Sequence, residues 1–429
     1  MTSLQSPLET AGAPEQRTDP SPAPAVLERP PGERARNAAV FLMVVALVAS
    51  PTYVLRPHLG PFPTTVLEII LLPALAAGLY AFRDRLPWSS PFLLPALLLL
   101  AAAILDTVFA PDRRAALGLL KAYFVEPMLA GLVVGAMARS QSRARLLLAG
   151  LAAAGSLIAV ANIVVAVHAL LSHSFSLVTP PVVIYTSANA IPLYLEPLVA
   201  FALPLAVFGE DRRTRALAAG FVALSAVATG LSFSRAGWLT MVAQVVLVAL
   251  FSRWRWRLII TAAAVVAAAF ALSRRVRDRI LVELDLSSPA NTVVLRLSLW
   301  KSTLNMLSHR PLFGSGLSGF KASIQPYRDP AYHENQIYPH NLFLNFWAET
   351  GLLGLLAFLW LMVQVVRSGL RGLEASGWTR IMAIGVLGLV LSFLVHGLLD
   401  APYFKNDQAL AFWVLLGIQL GSVLEYRSR

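Results

Sequence analysis

The chain has 429 residues, 57% of them hydrophobic and only 14% charged, with a mean hydropathy of +0.66. That much apolar surface exceeds what a water-soluble core can hide and points to a chain that faces lipid. The net charge of +12 would suggest nucleic acid on a soluble protein, but here the basic residues stand in short clusters between apolar runs, the pattern of membrane topology. The absence of cysteine excludes disulfides, thiolate metal sites and a cysteine nucleophile.

Residues 1–37 are rich in Pro, Ala, Glu and Arg and hold no long apolar run, so a disordered cytoplasmic tail is expected there. The first apolar segment begins near Ala38 and runs past any small-residue cleavage pattern, which reads as a retained membrane helix, not a cleaved signal peptide. Nine runs long enough, or nearly so, to cross a hydrocarbon core of roughly 30 Å follow in residues 38–272. They start at Ala38, Phe62, Trp88, Ala115, Leu146, Ile191, Ala216, Ala236 and Leu258, the last being the shortest. Three more start at Asn341, Ile381 and Gln408, filling residues 341–424, and residues 425–429 form a second short tail. The expected fold is therefore all-α and polytopic, with about twelve transmembrane helices.

With the N-terminus inside, the tail and the segments Arg83–Arg85, Arg139–Arg145, Arg212–Arg215, Arg253–Arg257, Arg367–Arg380 and Arg427–Arg429 become cytoplasmic. They carry about 20 of the 35 Lys and Arg residues, as the positive-inside rule requires. Residues 273–340 then form one long extracytoplasmic loop. A loop far longer than about 15 residues is usually functional or disordered. This one carries Arg296, Trp300, Phe313, Phe320 and Tyr327 in helix-compatible runs, so short helices lying over the bilayer surface are expected.

Candidate chemistry gathers on that outer side. Arg235, in Ser234-Arg-Ala-Gly237, stands between two apolar helices. It has two readings, a guanidinium snorkelling to the interface or one facing an anionic substrate. Arg296 and Trp300 are four residues apart and share a helix face, which alone often means only stacking. Arg310-Pro-Leu-Phe-Gly314-Ser-Gly316-Leu-Ser-Gly319 has glycines near phosphate-loop spacing but neither the lysine nor the preceding strand of such a loop. It reads as a turn after a helix. In Tyr338-Pro-His340-Asn341-Leu-Phe-Leu-Asn345-Phe-Trp-Ala-Glu349, the four polar residues His340, Asn341, Asn345 and Glu349 fall near one helical stripe, which in lipid must face protein or a wet cavity. Asn345 and Glu349 also fit plain interhelical bonding, whereas His340, with an intrinsic pKa near neutral, suits proton transfer. Asp400 could orient His340 or an arginine. Glu68, Asp106, Lys121, Glu126, Glu196 and Asp400 lie within or beside apolar runs, and at least some of them are expected to pair in the interior.

In this order, Ser-Arg closing a helix, Arg296 and Trp300 in a long outer loop, His309-Arg-Pro-Leu-Phe-Gly-Ser-Gly, then Pro-His-Asn-Leu-Phe-Leu and Glu349-Thr-Gly-Leu-Leu-Gly, the chain resembles the O-antigen ligase and polymerase family over roughly Phe221 to Gly354. The resemblance implies a GT-C-like glycosyltransferase of the bacterial inner membrane, without metal or other cofactor. Such an enzyme moves a glycan, with inversion, from undecaprenyl diphosphate to a hydroxyl on lipid A core, on another glycan or on another acceptor. It makes Arg235 and Arg296 phosphate-binding arginines and His340 the essential histidine, with Trp300, Arg310, Asn341 and Asp400 as substrate-binding candidates. The family's Ser-Arg-Gly is Ser-Arg-Ala-Gly here. A transporter of bicarbonate or another small anion is the rival reading. It calls for repeated halves with broken helices, and no internal repeat is visible. A non-catalytic scaffold would leave the three residues without a purpose.

Overall fold

A computed structural model describes residues 32–57, 64–177, 179–288, 291–329 and 336–427. The expected tail lies outside the described residues up to 31. Its last residues do not continue as tail: α1 (Glu33–Val48) starts five positions ahead of the expected run. Arg36 is tied to Asp84 at 2.8 Å, and Arg143 to Glu33, which anchors this first turn.

Many helices follow one another directly, while 18 residues separate the helix ending at Leu171 from the one starting at Ala190. After α1 come α2 (Val66–Ala81), α3 (Leu93–Val108), α4 (Arg113–Leu119), a π-helical turn at Leu120–Val125, α5 (Glu126–Met137) and α6 (Gln141–Leu171). Then follow α7 (Ala190–Phe208), α8 (Arg212–Leu231), α9 (Arg235–Leu250) and α10 (Arg255–Leu272). The outer segment holds α11 (Arg274–Leu281), α12 (Thr292–His309) and α13 (Phe320–Ser323), and the chain ends in α14 (Leu342–Gly372), α15 (Gly377–Val395) and α16 (Asn406–Arg427). Among the described residues there is no strand. Among the described residues eight helices are long and apolar enough to cross a membrane, α4 and α5 counting as one with the π-turn. Helices α1, α2, α3 and α9 occupy the other four expected runs but have 16 residues each, roughly 24 Å at 1.5 Å per residue.

Polar side chains mark the helix starts. Thr65 and Glu68 form a capping box on α2, while Asp112, Asp211, Ser234, Asn291 and Asn341 cap α4, α8, α9, α12 and α14. Packing between helices uses small residues, since lipid offers no hydrophobic drive. Gly131 and Gly135 on α5 face Gly417 and Gly421 on α16 so closely that a Cβ at Gly131 would stand 2.7 Å from the Trp413 carbonyl.

The basic loops gather at one end of the bundle. Arg36–Asp84, Arg143–Glu33 and Arg145–Asp211 (3.4 Å) stitch together the starts of α1, α6 and α8. At the other end, the segment between α10 and α14 has a small core of its own, Leu299, Met306, Leu307, Phe320 and Ile324, seated on Ala348 of α14. Helix α14 is broken within: Thr350 leaves helical geometry and Gly351 sits at φ 62°, ψ −177°, a region open essentially only to glycine. The apolar continuity of this run hides the break from a reading of periodicity.

Candidate functional site

Arg235 owes its position to two local features. Phe233 adopts a left-handed φ of 52° that turns the chain out of α8, and the Ser234 hydroxyl accepts from Gly237 N at 3.3 Å to start α9. Gly237 lies against Pro192 of α7, where a Cβ would come to 2.7 Å, which fixes the helix start against the bundle. From there the Arg235 guanidinium donates to the Arg279 carbonyl (3.1 Å) and the Thr292 hydroxyl (2.9 Å), and pairs with Glu283. Of the two readings of Arg235, snorkelling into the interface is not what the side chain does; it turns into the protein.

Asn291 caps α12 through Val293 N and Val294 N, at 3.0 and 3.1 Å. This places Thr292 and Arg296 one turn apart, and Arg296 Nη1 donates to the same Thr292 hydroxyl at 2.7 Å. Two guanidinium groups from helices distant in sequence thus converge on one oxygen. Arg296 Nε reaches the Leu399 carbonyl at 2.9 Å, next to Asp400 in the turn that closes α15.

Asp400 is 2% exposed and well supplied with donors, Ala401 N at 2.9 Å and Asn189 Nδ2 at 3.4 Å. The Tyr338 phenol stands near it as well. Burial alone would push the Asp400 carboxyl up, but the His340 and His396 rings and Arg296 together outweigh it and hold it well below the usual carboxylate range. Burial, and after it Asp400, pushes the Tyr338 phenol far up, so it stays a donor.

His340 Nδ1 lies 3.4 Å from Asp400 Oδ1, close but not aligned as a hydrogen bond, and Nε2 lies 2.8 Å from Gln336 Oε1. The residue itself holds a left-handed φ of 49°, uncommon for a side chain with a Cβ. Its neighbours keep it there. Trp300 Nε1 donates to the Pro339 carbonyl at 3.1 Å, and the Tyr338 ring lies 4.4 Å from the imidazole.

The other sequence candidates fare differently. Trp300 acts on the chain that carries His340. Asn341 is committed to the helix: Oδ1 accepts from Phe343 N and Leu344 N at 3.0 Å, and Nδ2 donates to the Leu398 carbonyl at 3.2 Å. Arg310 is not brought in; it stands at the far end of α12, roughly 21 Å from Arg296 along the helix, donating to Ser323. The glycine turn after it folds over Glu349, which accepts from Ser318 N, while Ser315 N bonds the Ala348 carbonyl at 2.7 Å. Gly314 and Gly316 take φ of 56° and 74° there. This turn therefore fills the break in α14, with Glu349 as an interior anchor, in keeping with the bonding alternative for that residue.

Several site residues had no signal of their own in the sequence. Glu283 sits at the α12 start, accepting from Thr292 N (3.3 Å), the Thr292 hydroxyl (3.1 Å) and Val293 N (3.1 Å) as well as from Arg235. Arg279 adds a third guanidinium, its pKa lowered by burial and by Arg296. Thr292 could have been suspected as the residue one turn before Arg296. Glu283 and Tyr338 required the fold.

Residues 219–359 match the family model described as O-antigen ligase, a span that includes Arg235, Arg296, Trp300, Arg310, His340 and Asn341 and stops short of Asp400. No curated protein matches the chain. The matched span lies on the helices and outer segment that carry the arginine and histidine cluster, so it is this third of the chain that is similar to the O-antigen ligase family.

Proposed function

We propose that this protein is a glycosyltransferase that moves a glycan from an undecaprenyl diphosphate donor to an acceptor hydroxyl in cell-surface polysaccharide synthesis. The observation that carries this reading is the convergence of Arg235 and Arg296 on the Thr292 hydroxyl, with His340 held alongside through Asp400. The family match supports the same class of chemistry. The protein crosses the bacterial inner membrane twelve times, with both ends cytoplasmic and the cluster on the extracytoplasmic face.

A glycosyl diphosphate already carries a good leaving group. The protein must neutralise charge on the departing diphosphate and remove the proton from the attacking hydroxyl. Arg235 and Arg296 serve the first need, because planar guanidinium forks bind phosphate oxygens in pairs. Glu283 now holds the anion position between Arg235 and the first amides of α12, so the diphosphate takes the place of this carboxylate. For the second need, the acceptor hydroxyl would displace Gln336 Oε1, which takes the Nε2 proton here, and Asp400 beside Nδ1 would then draw the ring proton to Nδ1 and leave the lone pair on Nε2. Gln336 stands where the acceptor hydroxyl would donate. As the acceptor oxygen attacks the anomeric carbon from the side opposite the diphosphate, its proton passes to His340 Nε2. The bond from carbon to the bridging phosphate oxygen breaks with its electron pair on oxygen, and configuration inverts. No metal ion is required for either task.

Division of labour provides the test. Purified protein should bind undecaprenyl diphosphate, His340→Ala should bind it equally well, and Arg235→Lys and Arg296→Lys should bind it more weakly, since an ammonium keeps the charge but loses the fork. Unchanged binding in both lysine variants would overturn the diphosphate clamp.

A further inference from the structure

At the end of the bundle opposite the arginine and histidine cluster, a cleft of ≈ 850 Å³ opens between α6, α7 and α8. Its walls are apolar, with Leu146, Leu151, Phe201 and Leu217 among them, and apart from Ser156 its polar side chains stand at the mouth. The α6 wall runs from Ser142 to Ser156, roughly 21 Å at 1.5 Å per residue. That is about the depth of one leaflet, half of a roughly 30 Å core plus its headgroup layer. The floor lies where Gly155 lets α6 close on its neighbours, since a Cβ there would stand 2.9 Å from Leu198 and 3.0 Å from Phe221.

The mouth carries surplus positive charge. Arg145 reaches Asp211 at 3.4 Å and Glu210 at 3.6 Å and lies over the Trp378 ring at 5.5 Å, yet its Nε is buried without a hydrogen-bond partner. Asp211 is also engaged as the α8 cap, accepting from Thr214 N at 2.7 Å. Arg213 lines the mouth and makes no ion pair among the described residues, and Arg212 and Arg215 flank it. Two arginines, Arg145 and Arg213, thus line the cleft, with Arg212 and Arg215 adjoining in the chain, against the carboxylates Glu210 and Asp211 beside them.

An apolar slot one leaflet deep under a cationic rim matches a two-chain lipid with a negative headgroup. We propose that this cleft binds an anionic phospholipid, its acyl chains along α6 and α8 and its phosphate against Arg145 and Arg213. The mouth is the length of α8 away from Arg235, so the occupant is not the donor of the transfer reaction. The proposal rests on the chain lying in a bilayer, and neither on that reaction nor on which end is cytoplasmic.

Native mass spectrometry of the full chain in detergent, titrated with phosphatidylglycerol or phosphatidylcholine, tests it. Wild type should bind phosphatidylglycerol more tightly. Arg213→Gln should weaken that binding about fivefold, and Arg145→Gln with Arg213→Gln about 25-fold, the scale of one surface cation each, with phosphatidylcholine unaffected. Ala152→Trp, which fills the slot, should weaken both lipids. If Arg145→Gln impairs folding, Arg213→Gln alone decides, because that side chain is exposed. Equal binding of the two lipids, unchanged phosphatidylglycerol binding in Arg213→Gln, or a lipid-free dimer that buries this cleft would each overturn the proposal.

Discussion

At the scale of single residues, the site is a chain of contacts, Glu283 to Arg235 to Thr292 to Arg296 to the Leu399–Asp400 turn to His340. Glu283→Gln removes the carboxylate that competes for Arg235 while keeping acceptor capacity at the α12 start. Inorganic pyrophosphate should therefore bind more tightly to Glu283→Gln than to wild type by isothermal titration; equal or weaker binding would refute the displacement of Glu283 by the diphosphate. Asp400 has a depressed pKa in the folded protein. Its contribution is fully present above the unfolded carboxylate value of about 4 and is lost as pH falls through the lower folded value. The difference in unfolding temperature between wild type and Asp400→Asn should accordingly shrink as pH falls below about 4. Arg235, Arg296 and His340 were legible in the sequence as candidates through the order of motifs that resembles the O-antigen ligase and polymerase family, Arg296 having no local signal beyond a face shared with Trp300. Glu283 was not, because one carboxylate in a loop rich in arginine carries no period and no motif. Asn341 shows the converse, a polar residue that attracts a binding role and proves to be a helix cap.

At the scale of elements, each expected apolar run carries a helix, eight of them among the described residues long and apolar enough to cross a membrane. What periodicity missed are the points where tertiary contacts override local preference. The π-turn at Leu120–Val125 sits where Lys121 reaches Glu68 at 2.7 Å, and the break at Thr350–Gly351 sits where Leu352 N turns to the Leu312 carbonyl at 3.0 Å. Neither partner is near in sequence. At Gly351 a Cβ would stand 2.2 Å from the Leu312 carbonyl, on top of backbone strain of roughly 1–3 kcal/mol. Gly351→Ala should lower the unfolding temperature and, by shifting the start of α14, the transfer rate as well. Gly131→Val should destabilise by about 1–3 kcal/mol through overpacking against α16 without changing pyrophosphate affinity, a contrast that thermal unfolding and titration together would read.

At the scale of the whole molecule, the basic loops lie at one end of the bundle and the cluster at the other. A reporter fused after Arg310 should report the extracytoplasmic side, and cytoplasmic behaviour would reverse the orientation and remove the site from the face where lipid-linked donors are used. The central claim is that this cluster transfers a glycan. It is tested most directly by incubating the purified protein with a synthetic undecaprenyl diphosphate glycan and an acceptor glycan or lipid A core, without added metal and with a chelator present, and measuring product for wild type and His340→Ala. The expected result is metal-free transfer by wild type and a loss of roughly 10²-fold or more in His340→Ala, the range for a positioned base, whereas full activity of His340→Ala would contradict it.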